Sequence, residues 1–209
     1  GISSFIKSQS LMSLALTKKG NLLAINSAAD LFKINVETGR IFWTANTLSS
    51  LYSNATDFFE CSDIVVSDND ILLSAGSSFF SYDLISGITN WEQKITSAST
   101  PIVINDNIFL VSKHGYFAIL DKKSGEIISS SNVLKVLKKK HQETEITGFI
   151  MGSGKIYSVT LSGYLIISNA STGKVESYKK IGHIVKSNPI ISDSKLFILT
   201  EGSKLIGYN

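Results

Sequence analysis

His114, His141, His183, Cys61 and the lysine-flanked Asp121 are the residues of this chain best placed to do chemistry, and their spacing limits each of them. The histidines form no H-E-x-x-H and no other pair at metal-ligand spacing. His114 precedes a turn glycine and His141 ends a basic run, so both read as solvated. A single cysteine excludes an internal disulfide and a multi-cysteine metal site. Gly152-Ser153-Gly154-Lys155 has the ending of a phosphate loop, but it lacks the upstream glycine, and Ile156 stands where Ser or Thr would bind magnesium. It also lies between two strand-like stretches rather than ahead of a helix. No G-x-S-x-G occurs, and Asn54-Ala55-Thr56 fits a glycosylation acceptor by pattern alone. The run Lys138-Lys139-Lys140 reads as a solvated face that could meet an acidic partner or phospholipid headgroups. The reading is therefore no catalytic residue, no metal and no cofactor.

Asp121 changes meaning once its surroundings are compared with the rest of the chain. Lys113 to Gly125 is an apolar strand led in by a Gly turn, ending in an acidic residue and closed by Ser-Gly. The same phrase recurs as LFKINVETG (31–39), FFSYDLISG (79–87) and LIISNASTG (165–173), with a shortened fifth copy at 204–209. The acidic or amide position is held by Asn35, Asp83, Asp121, Asn169 and Asn209, at steps of 48, 38, 48 and 40 residues. A residue present once per repeat serves the repeat: Asp or Asn bonds the backbone of the following turn, and Gly supplies positive φ.

Around each of the first four copies stand two short apolar strands before it and one strand after it; the fifth has only the two before it. In the first repeat these are Leu11 to Leu16, Asn21 to Ile25, the phrase, and Arg40 to Trp43. Strands of this length and spacing, rich in β-branched and aromatic residues, predict antiparallel hairpins. Four-stranded units in tandem at this period predict an all-β fold, a β-propeller of four-stranded antiparallel blades with about four and a half blades present. The repeats span roughly 8–43, 60–91, 99–130, 146–178 and 187–209 of a single domain, with 1–7 as an outer strand of a neighbouring or last blade. Val133 to His141 is the one helical candidate, with Leu134 and Leu137 as anchors for one or two turns.

Composition fits this reading. Hydrophobic residues make up 43% and charged residues 18% of 209 positions, enough for a sizeable core. A net charge of +3, spread out apart from Lys138–Lys140, gives no support to nucleic-acid binding. No apolar run reaches the ~18 residues of a membrane span, and Gly1-Ile2-Ser3-Ser4 has neither a basic nor a long apolar leader region.

The register of the phrase, with Trp43 and Trp91 each four residues after its Gly, resembles the blade motif of quinoprotein-like propellers, A-x-D-x-x-T-G-x-x-x-W. The Ala position is held here by Lys33, Ser81, Ile119 and Ile167. Dehydrogenases of that fold hold a quinone and calcium through dedicated residues; no equivalent set stands in this chain, so the cofactor does not come with the fold. Within that superfamily the chain resembles the BamB family of outer-membrane protein-assembly lipoproteins. The likeness is best in the last three repeats, in the Leu- and Lys-rich link 131–137 and the closing layout 179–209.

That resemblance implies an eight-bladed ring with an N-terminal lipidated cysteine, of which this chain would be the C-terminal portion. The other reading is a closed five-bladed ring in which Ile2 to Ile6 supplies the missing outer strand. The family grips the assembly-barrel subunit through loops on one rim. The nearest matches to its two loop motifs are Ile6-Lys7-Ser8-Gln9-Ser10 and Asp57-Phe58-Phe59-Glu60, which makes Ile6, Lys7 and Glu60 the partner-binding candidates. For Lys7 and Glu60 a solvated loop charge is the competing reading. The function expected is a non-catalytic scaffold on the periplasmic side of a bacterial outer membrane. Its partners would be the barrel subunit's periplasmic domains and extended β-strand segments, with no nucleic acid and membrane contact only through a lipid anchor. The alternatives are a fragment of a quinone-dependent dehydrogenase and a generic ligand-binding propeller.

Overall fold

Short β-branched and aromatic runs separated by Gly, Asn and Asp favour local hairpins over any longer-range pairing. The computed structural model describes residues 12–47 and 60–209, and among them every sheet is built from consecutive strands. The chain divides into two compact units, Gly1–Thr96 and Ser97–Asn209.

In the first unit, β1 (Leu14–Leu16), β2 (Asn21–Ile25), β3 (Asp30–Asn35) and β4 (Ile41–Asn46) form one antiparallel meander. A second comprises β5 (Val65–Ser67), β6 (Asp70–Ala75), β7 (Ser78–Asp83) and β8 (Thr89–Gln93). The second unit holds a third meander, β9 (Ile102–Ile104), β10 (Asn107–Val111), β11 (Tyr116–Asp121) and β12 (Ile127–Asn132). The fourth is β13 (Ile146–Gly152), β14 (Lys155–Thr160), β15 (Tyr164–Asn169) and β16 (Val175–Lys180). The fifth has three strands, β17 (Ile190–Ser192), β18 (Lys195–Leu199) and β19 (Leu205–Tyr208). One meander per repeat is the blade of a β-propeller, and about four and a half blades are present, as the repeat count predicts.

Each unit packs blade face on blade face. Leu23, Ile25 and Leu31 of the first blade meet Ile71, Leu73, Phe80 and Tyr82 of the second. In the second unit Val159 and Leu165 meet Leu196 and Ile198 around Val185. Each such side chain, fully buried, contributes about 1.5–3 kcal/mol. Trp43, the aromatic after the first copy of the repeated phrase, lies between its own blade and the next: its indole N–H donates to the Leu84 carbonyl at 3.4 Å.

The outer strand of each complete blade carries an irregularity at one place. The register skips one residue opposite Lys33/Ile34, Ser81/Tyr82, Ile119/Leu120 and Ile167/Ser168. The skipped residues are Phe42, Asn90, Ile128 and Glu176, so a bulge recurs on the outer strand of each four-stranded blade and adds local twist. Phe42 (49% exposed) and Ile128 (59%) are turned toward solvent. Pro101 and Pro189 stand one residue before β9 and β17 rather than inside them.

Candidate functional site

In a meander the first and third turns lie at one end of the blade, and the second turn and the link to the next blade lie at the other. The repeated phrase supplies the third turn. There Asn35, Asp83, Asp121 and Asn169 accept the N–H three residues on, at 2.8, 2.7, 2.7 and 3.1 Å, and the hydroxyl of the same residue. Gly39, Gly87, Gly125 and Gly173 follow with φ of 70, 73, 74 and 69°, closing the turn. These bonds favour the carboxylate, so the backbone N–H of Ser86 holds Asp83 below the usual range, and that of Ser124 does the same for Asp121.

At the same end, Ser153 and Gly154 form a two-residue hairpin turn with φ of 50 and 71°. Lys155 pairs with Glu176 at 3.0 Å, which raises the Lys155 pKa and lowers that of Glu176. The phosphate-loop likeness of this stretch is thus a β-turn followed by an ion-paired lysine.

The other end carries the segments that differ between repeats. Between β12 and β13 the chain makes two 3-10 turns, Val133–Val136 and Lys139–His141. Asn132 caps the first, its side-chain oxygen accepting the Leu134 N–H at 2.9 Å. Val133, Leu134 and Leu137 are buried, so the two leucines anchor this segment as their spacing predicts. Leu134 sits over Gly115, where any Cβ would collide with it. The Gln142 amide donates to the Leu137 carbonyl at 2.7 Å, and Ile146 N–H returns to the Lys113 carbonyl at 2.8 Å. His141 is not simply solvated: its ring packs on Tyr164, centroid to centroid 5.4 Å.

This arrangement leaves an open groove of about 480 Å³ lined by His114, Tyr116, Asn132, Gln142, Glu143 and Glu145. It offers amides, carboxylates and one half-exposed aromatic ring, groups that recognise a polypeptide by hydrogen bonds and stacking. Among the described residues no group of three or more His, Cys, Asp or Glu is gathered at metal-binding distance. No described helix is long and apolar enough to cross a membrane, which leaves open spanning by strands.

Of the three partner-binding candidates, Ile6 and Lys7 lie outside the described residues, as do Asp57, Phe58 and Phe59. Glu60 is half-buried at the entry to the second blade, its carbonyl accepting the Gly76 N–H at 2.9 Å. It therefore stands at the end of its blade that carries the variable segments. The groove residues Tyr116, Asn132 and Gln142 are not among the candidates that sequence spacing identifies. Asn132, two residues before a Leu-rich turn, is the one position where a capping pattern marks the place.

Residues 4–131, the first three repeats rather than the last three in which the sequence reading finds the likeness best, match the sequence profile of a family described as outer membrane protein assembly factor BamB. None of the curated protein sequences matches the chain significantly. Among solved structures, BamB from Moraxella catarrhalis superposes with a TM-score of 0.72 at 16% identity, over 96% of this chain and 59% of that one. The Cps50 (Swd1) β-propeller domain of Myceliophteria thermophila gives 0.69 at 14% identity, over 97% of this chain and 65% of its own. The chain thus spans less than two thirds of the length of either protein. At these identities the structural likeness carries the fold alone.

Proposed function

The chain belongs to the outer membrane protein assembly factor BamB family, and on that premise we propose that it is a non-catalytic scaffold that helps assemble β-barrel proteins into a bacterial outer membrane. It works on the periplasmic side, where the whole protein is held by a lipid anchor, and it binds the periplasmic domains of the assembly-barrel subunit. The observation that carries this reading is the division of labour within the blades. The residues shared by the first four repeats are consumed by their own turns, while the variable segments and the groove lie at the opposite end. Loops on a rigid β scaffold are where binding specificity concentrates.

Ile6, Lys7 and Glu60 are assigned to this partner surface, and exposed outer strands offer edges to which extended segments can add. A pull-down with the barrel subunit's purified periplasmic domains tests the assignment. The Lys7→Glu, Glu60→Lys double variant is expected to retain less than about a tenth of the binding, the loss that accompanies reversal of two interface charges. Undiminished capture by the double variant removes these residues from the interface, and no capture by the wild-type chain overturns the function.

A further inference from the structure

Lys135, Lys138, Lys139 and Lys140 project from the link between β12 and β13, all exposed. None of the four ion-pairs with a carboxylate among the described residues. Their backbone is fixed rather than trailing. Buried Val133, Leu134 and Leu137, the Asn132 cap and the Gln142 clamp hold both 3-10 turns against the third and fourth blades. Val136, 36% exposed, stands between the lysines.

The surrounding end of the second unit has the same sign. Its turns and links contain seven lysines (113, 135, 138, 139, 140, 186 and 204) against three glutamates (143, 145 and 201), and Lys186 already pairs with Glu201. The turns at the other end carry no such excess, with Lys122, Lys123 and Lys174 against Asp106, Asp121, Glu126 and Asp193. A one-signed field at one end only steers that end toward an anionic object.

We propose that this end of the unit binds a bilayer surface bearing anionic phospholipid headgroups. An acidic peptide fits less well, because a chain entering the adjacent groove meets Glu143 and Glu145. A bilayer touches the lysine tips without entering the groove, and Val136 is placed to meet the interface between headgroup and acyl chain. Clusters of four or more lysines near an anionic membrane surface read as headgroup-binding. The inference does not depend on the scaffold function, since it concerns lipid and needs no protein partner.

Co-sedimentation of the whole chain with vesicles tests it. Phosphatidylcholine vesicles carrying about 30 mol % phosphatidylglycerol are expected to bind the chain at least ~10-fold more strongly than pure phosphatidylcholine, and raising salt from about 0.1 to about 0.5 M should release it. The Lys135→Gln, Lys138→Gln, Lys139→Gln, Lys140→Gln variant should lose that preference while keeping the wild-type melting temperature, since all four side chains are exposed. Equal binding to both vesicle types, or an unchanged preference in the quadruple variant, overturns the proposal. Tighter capture by polyglutamate than by the anionic vesicles also overturns it, in favour of an acidic protein partner.

Discussion

In four consecutive repeats one side-chain oxygen accepts both the N–H and the hydroxyl of the residue three positions on. Two of those acceptors are carboxylates and two are amides, and only the carboxylates titrate. Asp83 and Asp121 have depressed folded-state pKa values, because the turn N–H and hydroxyl donate to the ionised form. Their contribution is present above the unfolded Asp pKa of about 3.9 and is lost as pH falls through the lower folded value. An Asp83→Asn, Asp121→Asn variant should therefore melt somewhat below the wild type at neutral pH, yet lose less stability below about pH 4, as followed by calorimetry. A melting curve as acid-sensitive as the wild type's would count against the carboxylates as the cause. Asn169→Ala, which removes the bonds outright, should cost about 1 kcal/mol at any pH.

At the scale of the element, the third blade shows how a variable segment is fixed to a regular one. Gly115 has φ +78° and lies directly beneath Leu134. Gly115→Ala must both strain the backbone and displace that leucine, at a cost of about 1–3 kcal/mol. Amide exchange should quicken across 133–137 while the β10–β11 ladder stays protected; exchange unchanged at 133–137 would mean that Leu134 does not anchor the segment. The strands themselves were legible in the sequence because each phrase recurs with its Asp or Asn and its Gly. The two leucine anchors were legible from their spacing. The bulges at Phe42, Asn90, Ile128 and Glu176 were not, since one skipped residue leaves no mark on strands whose positions are only exposed or half-buried. The groove was legible only in part: the stretch 129–145, which differs between the repeats, holds Asn132 and Gln142, while Tyr116 joins them only once β11, the first 3-10 turn and the approach to β13 are folded together.

At the scale of the molecule, repetition separates what builds the propeller from what makes this chain particular. Asp121 with its neighbouring lysines, met singly, looks like a carboxylate site; compared with Asn35, Asp83 and Asn169, it is turn chemistry. The segments that differ between repeats stand at the opposite end of each blade, with Glu60, the groove and the lysine-bearing link. Hydrogen–deuterium exchange of the whole chain, with and without the barrel subunit's periplasmic domains, tests this division most directly. Protection is expected at 46–60, 113–115 and 133–145, with none at the repeated turns 35–39, 83–87, 121–125 and 169–173. Protection confined to those four repeated turns would contradict the account.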